Sequence, residues 1–366
     1  MRIFFYLADI TFTGGIEKIT TTLSNYFVQQ GIEVCIVSNF RTNQTYAYKL
    51  NERVNTVFLS EFPYSGKPGS IERLKLFLSI RKQVKKFFKA VHNEIVIVQT
   101  FPNAFLYFLA MGKKNRNKII TVEHVHYFYY GRLIRVLRYF VYKYYNNVCV
   151  LTNADKRQYD KWGIHATVIP NAVDSFPSKI PVLSERKNIL LGVGRLEEQK
   201  NFRSLIDVFF KVHQKYPEWK LHIYGRGTLH DKLEKQICDL HLSECAKLMG
   251  VSDSIGTVFK EAGIFVLTSL YEGFSMVIAE AMANGIPVVS YDCPNGPADL
   301  IKNEENGLLV ENQNEEELYK SICRMIDDPA LRQNCSESAL NTVQKYDIQH
   351  VFKQWKTLFD RTGAER

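Results

Sequence analysis

The sequence predicts an α/β protein made of two doubly wound, Rossmann-like domains, and three observations carry that prediction. The chain has 366 residues, more than one ordinary domain and suited to two of about 150–200 residues each. Short β-branched apolar runs alternate with helical patterns along its length, which is how βαβ units with parallel strands buried on both faces read. Apolar residues make up 46% and charged residues 23%, a globular balance that excludes a disordered chain.

Strands are read at 3–7, 34–37, 95–98, 119–122 and 148–151, and after a break at 189–193, 220–223, 264–267 and 287–290. A helix over 16–30 opens behind Gly14-Gly15 and stops at Gly31, a residue suited to a left-handed C-terminal turn. The segment 174–181 holds Pro177 and Pro181 without periodicity and reads as the linker. Near the end, Ile348, Val351, Phe352, Trp355, Leu358 and Phe359 share one face of a helix. The expected division is therefore 1–174, 182–345 and a terminal helix within 346–366.

Seven cysteines, scattered and never at C-x-x-C spacing, suggest neither a disulfide framework nor a zinc site. With no secretory leader read at the start, a reducing, cytoplasmic protein is expected. No apolar run approaches the ~18 residues that span a bilayer.

Charge is unevenly divided. Residues 1–170 carry 24 Lys+Arg against 10 Asp+Glu, a net +14, and the remainder 23 against 28, a net −5. The basic half suits nucleic acid, an anionic membrane or an anionic substrate. Two segments sharpen the choice. Over 71–91, Ile71, Leu74, Phe77, Leu78, Val84, Phe87, Phe88 and Val91 are expected on one face, with Arg73, Lys75, Arg81, Lys82, Lys85, Lys86 and Lys89 around the rest. Over 127–145, nine aromatic residues mix with Arg132, Arg135, Arg138 and Lys143. Basic amphipathic helices with aromatics suit anionic lipid, although a core-packing helix with a solvated basic face has the same pattern. Nucleic acid is disfavoured, since no binding motif occurs and the acidic half repels a polyanion.

The densest chemistry lies at 271–289. Glu272 falls in a loop at a strand's carboxyl end, and Glu280 two turns into the helix that follows, with seven residues between them. Open α/β sheets bind ligands at those ends, and a helix start offers unpaired N–H groups to a phosphate. The two carboxylates can serve opposite ends of one elongated ligand, each accepting from a pair of sugar or ribose hydroxyls.

This segment, Tyr271-Glu272-Gly273-Phe274-Ser275-Met276 through Glu280 to Val289, resembles the signature of glycosyltransferase family 4, retaining enzymes of the GT-B fold. Gly192-Val193-Gly194-Arg195-Leu196 and Glu198-Gln199-Lys200-Asn201 resemble the family's phosphate-binding loop. Arg195 supplies a planar donor fork and Lys200 a compact charge for a diphosphate. Tyr224-Gly225-Arg226-Gly227 resembles the family's G-x-G turn, though any tight strand–helix turn needs glycine. Met249-Gly250-Val251-Ser252 resembles the turn facing the nucleobase, and Ile169–Asp174 the entry to the linker, with Ala172 where glycine is common. The loop from Asp292 to Asp299 resembles one in bacterial enzymes of surface-polysaccharide and lipid-linked glycan synthesis, with Asp299 in place of the usual glutamate. In the first half, Gly14-Gly15-Ile16-Glu17 resembles the glycine-rich loop beside phosphates and acceptor. Thr121–His126 ends a strand where the family places a sugar-facing histidine, so His124 takes that role, with His126 its rival two residues on.

The resemblance implies a GT-B fold whose interdomain cleft holds a nucleotide diphosphate-sugar, a UDP-sugar foremost, and a saccharide or lipid-linked acceptor, with the terminal helix returning to the first domain. It implies catalytic roles for His124, Arg195, Lys200 and Glu272. Gly14, Gly15, Arg195, Lys200, Gly225, Val251, Glu272, Gly273, Phe274, Ser275, Met276 and Glu280 would bind the donor, with Glu280 on the ribose. A hexose or N-acetylhexosamine would move with retention, the leaving phosphate helping to deprotonate the acceptor. No Asp-x-Asp occurs, so no metal and no cofactor is expected; cations and a helix end would replace it. The protein would then sit peripherally at the cytoplasmic face of a membrane, building surface polysaccharide such as capsule or lipopolysaccharide. A nucleotide-sugar epimerase of the same fold is the alternative within enzymes, and a basic nucleic-acid-binding protein the alternative outside them.

Overall fold

The computed structural model describes residues 1–364 except 66–69, 113, 114, 116, 174, 175, 178 and 253. Asp174, Ser175 and Ser178 of the expected linker thus lie outside the described residues. The chain divides into two compact units, one of Met1–Ala172 with Ile348–Arg366 and one of Val173–Asp347.

The first unit begins with β1 (Arg2–Leu7), α1 (Gly15–Gln29), β2 (Glu33–Ser38) and β3 (Asn55–Phe58). It continues through α2 (Ile71–Ser79), α3 (Arg81–Lys89), β4 (Ile95–Gln99), α4 (Phe101–Met111) and β5 (Lys118–Glu123). Then come α5 (Arg132–Tyr142), β6 (Asn147–Val150), α6 (Asn153–Lys161) and β7 (Ala166–Val168). All strand pairings are parallel, in the order β3-β2-β1-β4-β5-β6-β7. Such a sheet needs helices on both faces, which is why the central strands are uninterrupted apolar runs. At the end of α1, Gly31 takes φ +79° and Ile32 N–H reaches Phe27 O at 3.0 Å, closing the helix with a Schellman turn.

The second unit contains β8 (Lys187–Val193), α7 (Phe202–Lys215), β9 (Lys220–Tyr224), α8 (His230–Asp239), β10 (Ala246–Gly250) and α9 (Ile255–Glu261). It continues with β11 (Ala262–Leu267), α10 (Met276–Ala283), β12 (Val288–Tyr291), α11 (Pro297–Leu300), β13 (Leu308–Val310), α12 (Glu315–Asp327) and α13 (Pro329–Val343). The order β10-β9-β8-β11-β12-β13 is again parallel. Helix α7 buries Phe202, Leu205, Ile206, Phe209 and Val212 in the core. Arg186 crosses the unit as a buried clamp. Its Nη1 donates to the carbonyls of Phe259, Lys260 and Ala262 at 2.7, 3.1 and 3.2 Å, and its Nη2 to Asn284 O at 2.6 Å. These are carbonyls at the ends of α9 and α10, which have no partner within their helix.

The last helix, α14 (Ile348–Ala364), belongs to the first unit. Val351, Trp355, Leu358 and Phe359 are buried, and the rings of Phe352, Trp355 and Phe359 lie 5.4, 6.5 and 5.7 Å from that of Phe27 on α1.

Both basic segments differ from expectation. Residues 71–91 form two helices broken at Ile80 rather than one with a buried face. Phe77, Val84 and Phe88 are buried, while Ile71, Leu74 and Leu78 are exposed. In α5, Arg138 is not a surface cation: it is 1% exposed, with its guanidinium over the rings of Tyr127, Tyr130 and Tyr159 at 4.9, 5.5 and 4.9 Å. A guanidinium is weakly hydrated and stacks on aromatic faces, so rings and the carboxyl of Glu123 replace its water. Outward residues of this segment include the apolar Phe128, Leu133, Ile134, Val136 and Phe140 beside Arg132 and Lys143.

Candidate functional site

In each sheet the strand order reverses once, between β1 and β4 and between β8 and β11. A crevice opens at such a point because the flanking connections leave in opposite directions. In the second unit the loops after β8 and β11 carry Arg195, Lys200 and Glu272. Lys200 Nζ donates to Glu272 Oε1 at 2.6 Å, and Ser269 Oγ donates to the same oxygen at 2.6 Å. Glu272 is 7% exposed, so the pair is largely shielded from water. Gln199 ties the two loops together: its Oε1 accepts from Arg195 Nη2 at 2.9 Å, its Nε2 donates to Tyr271 O at 2.9 Å, and its carbonyl accepts from Leu270 N–H at 2.8 Å. Arg195 itself is exposed.

The glycines are explained by close approach. A Cβ on Gly225 would lie 1.8 Å from Gly194 O, and one on Gly227 2.3 Å from Leu196 O. The G-x-G turn therefore packs backbone to backbone under the Arg195 loop, joined by Gly194 N–H to Tyr224 O and Leu196 N–H to Arg226 O at 2.9 and 3.0 Å. Gly225 N–H reaches Gly250 O at 2.7 Å, which brings in the β10 turn where Val251 stands 60% exposed. Gly194 has a second use: a Cβ there would meet the Lys200 stem at 2.9 Å.

Between Glu272 and α10, Gly273 and Phe274 lead to Ser275, which takes φ +60° and precedes the helix start at Met276. Ser275 and Phe274 pack against Gly296, whose φ of +101° and whose 2.7 Å Cβ distance to Ser275 Oγ both demand glycine. Pro294 O accepts from Glu272 N–H at 3.1 Å, so the loop from Asp292 to Asp299 braces the glutamate. Glu280 is half-buried and is the fifth residue of α10, one turn in rather than two.

In the first unit, Gly14 and Gly15 lie between β1 and α1, and His124 directly follows β5. A Cβ on Gly15 would meet nothing within 4 Å; packing does not require that glycine. His124 Nε2 lies 2.5 Å from Gln99 Oε1 at the end of β4. Burial pushes its pKa down to about 4, so the ring is neutral at pH 7. His126 is placed differently from an extended-chain expectation. The chain bends at Val125 and His126 opens the 3₁₀ turn Tyr127–Tyr129, its ring edge-on to Tyr129 at 6.2 Å.

Sequence reasoning missed Gln99, Gln199 and Ser269, because a lone amide or hydroxyl has no periodicity or motif to mark it. Among the described residues no group of three or more His, Cys, Asp and Glu is placed to hold a metal ion, and no helix is long and apolar enough to cross a membrane.

Two doubly wound parallel sheets, the second with cations and carboxylates at its carboxyl end, have the architecture of the GT-B class of glycosyltransferases. Residues 13–175 match the family model described as Glycosyltransferase Family 4, and residues 176–342 the one described as Glycosyl transferases group 1. The chain belongs to the family 4 glycosyltransferases, of the kind that builds bacterial glycans. It is 27% identical over 372 residues to the amylovoran biosynthesis glycosyltransferase AmsD of Erwinia amylovora, covering 98% of this chain and 99% of that one. A Campylobacter jejuni α-1,4-N-acetyl-D-galactosaminyltransferase, named for a diphospho-undecaprenol-linked GalNAc acceptor, is 25% identical over 363 residues and 98% of both chains. The crystal structure of S. aureus TarM in complex with fondaparinux, α-GlcNAc-glycerol and UDP superposes with a TM-score of 0.81 at 18% identity, covering 98% of this chain and 99% of that one.

Proposed function

We propose that the protein transfers a hexose or N-acetylhexosamine from a UDP-sugar to a saccharide or lipid-linked acceptor, with retention of configuration and without a metal. The observation that carries this is the shielded Lys200–Glu272 pair beside Arg195 where the strand order reverses in the second unit. A leaving diphosphate gathers negative charge as the glycosidic bond breaks, and two preplaced cations lower that barrier most. Lys200 and Arg195 do this, while the first N–H groups of α10, through Ser275 and Met276, add a helix end. Both bonds to Glu272 fall on Oε1, so Oε2 is the oxygen for a sugar hydroxyl, with the Gly273–Met276 backbone alongside. Glu280 takes the ribose hydroxyls, and the exposed Val251 lies along the base.

The first unit supplies His124 to the sugar and the open backbone at Gly15 to phosphates or acceptor, with the Glu17 carboxylate lying over Gly14. The acceptor hydroxyl attacks from the face the diphosphate leaves, and a departing phosphate oxygen takes its proton, so no protein nucleophile is required. TarM was crystallised with UDP, and the Campylobacter relative is named for a lipid-linked acceptor; both favour the corresponding substrates here. An anionic membrane surface is the working location. Lys75, Arg81, Lys82, Lys85, Lys86 and Lys89 are exposed on α2 and α3, and outward apolar residues of α5 supply insertion.

Release of nucleotide diphosphate from a panel of UDP- and GDP-sugars, in excess EDTA and with or without saccharide acceptors, tests the proposal. A UDP-sugar consumed in EDTA supports it. Activity restored only by magnesium or manganese contradicts the metal-free chemistry, and recovery of an isomerised nucleotide-sugar would identify an epimerase.

A further inference from the structure

We infer that Gln99 is a positioning residue that fixes His124 in one neutral tautomer, with the proton on Nε2, so that Nδ1 meets the substrate as a hydrogen-bond acceptor. The inference rests on the assignment of His124 to the sugar, and it concerns which ring nitrogen does the work. A carbonyl oxygen can only accept. With Gln99 Oε1 2.5 Å from Nε2, the ring must donate there, and a neutral imidazole has one proton to give. Nδ1 is then a bare lone pair suited to a sugar hydroxyl. A protonated ring would instead offer two donors, the wrong polarity for holding a hydroxyl by its hydrogen.

Gln99 is itself held by a built framework. It is 1% exposed at the last position of β4, in register with Val122 of β5. Its backbone carbonyl accepts from Asn103 Nδ2 at 2.7 Å, and the same nitrogen donates to Thr100 Oγ1 at 3.2 Å. Asn103 Oδ1 accepts from Asn39 Nδ2 at 3.0 Å, and Asn39 lies beyond the end of β2. Thr100 between them has φ +71°, a conformation a β-branched residue adopts only when its surroundings impose it. Asn39 and Asn103 thus pin the main chain at the end of β4, and from that fixed point the Gln99 side chain reaches the histidine. Strain held by such a network is the usual mark of a site built for geometry.

The test is nitrogen-15 NMR of histidine-labelled protein, whose two- and three-bond proton correlations report which ring nitrogen is protonated. The signals of His124 among the nine histidines are assigned by their loss in His124→Gln. Wild type should show the Nε2-protonated form at pH 7. Gln99→Leu should give a mixture of tautomers, and Gln99→Glu should restore the Nε2–H form while raising the pH at which His124 titrates. Turnover of the UDP-sugar should fall about tenfold in kcat in Gln99→Leu with KM held, the rate scale of losing one hydrogen bond. A proton on Nδ1 in wild type, or a tautomer unchanged by Gln99→Leu, overturns the inference. If Gln99→Leu does not fold, the wild-type and Gln99→Glu spectra still decide it. Full activity of His124→Ala would instead overturn the assignment of His124 to the sugar, an outcome separate from the tautomer.

Discussion

Lys200 and Glu272 join the two loops that part at the strand-order reversal of the second sheet, Nζ to Oε1 at 2.6 Å. Each is therefore both a proposed site residue and a shielded ion-pair partner. Removing one leaves the other's charge shielded and uncompensated, a loss of about 3–5 kcal/mol for fully buried pairs and less here, where Lys200 retains 14% side-chain exposure. Lys200→Ala should lower the melting temperature and cut turnover by roughly 10²–10³-fold. Arg195→Ala should lose turnover on the same scale with the melting temperature unchanged, since Arg195 is exposed and bonds only to Gln199 among the contacts described. Calorimetry beside steady-state kinetics on both variants separates the two behaviours; equal stability of both would count against the shielded pair.

His124 should leave a mark on stability between pH 6.5 and 4. The unfolded chain protonates this ring below 6.5, and the folded chain only below about 4. The unfolded state thus binds the proton first, and stability present above pH 6.5 is lost as pH falls through that window. Urea midpoints measured from pH 7 to 4 should fall less steeply in His124→Gln than in wild type. Parallel curves would show that burial does not depress this histidine.

Arg186 is the residue whose loss should damage the second unit most without touching the site. Four carbonyls depend on its guanidinium, and hydrogen bonds to a charged group contribute about 1.5–3 kcal/mol each. Arg186→Met should drop the melting temperature by well over the few degrees of a surface substitution. Arg186→Lys should recover little, because an ammonium cannot span carbonyls from α9 and α10 at once. A wild-type melting curve for either variant would contradict the clamp.

The central strands were legible because strands with helices on both faces are apolar throughout. Every strand passed over in the sequence (β3, β7, β10 and β13) is a sheet edge. An edge strand is short and half-covered, so its sequence mixes polar and apolar residues; β10 reads AKLMG with two exposed positions. The same logic separates the site residues. Charged residues at motif spacing, Arg195, Lys200, Glu272 and Glu280, stand out in a string of letters. Gln99 and Gln199 work through partners 25 and 72 residues away, and only the fold makes those pairs. Arg138 misled because a cation on an aromatic helix has the same pattern whether it faces lipid or the rings of Tyr127, Tyr130 and Tyr159.

Membrane attachment should depend on charge and apolar contact together. Each Lys or Arg near an anionic leaflet contributes about 1 kcal/mol, and α3 offers Arg81, Lys82, Lys85, Lys86 and Lys89. The protein should sediment with vesicles containing anionic lipid, bind neutral ones little, and be partly released by high salt. Replacing Lys82, Lys85, Lys86 and Lys89 with glutamate should abolish binding and leave donor hydrolysis intact. Leu133→Asp with Phe140→Asp should remove the salt-resistant fraction. Indifference of the wild type to anionic vesicles at low salt would make the basic face a solvated surface and the acceptor a soluble one.

A nucleotide diphosphate-sugar opened with retention at the Lys200–Glu272 pair should release a sugar of unchanged anomeric configuration. Proton NMR of sugar released from an α-linked UDP-sugar, recorded before mutarotation, tests it most directly through the anomeric signal. The α anomer should appear first with wild-type protein, and Lys200→Ala should release it roughly 10²–10³-fold more slowly. First appearance of the β anomer, or release undiminished in Lys200→Ala, would contradict it.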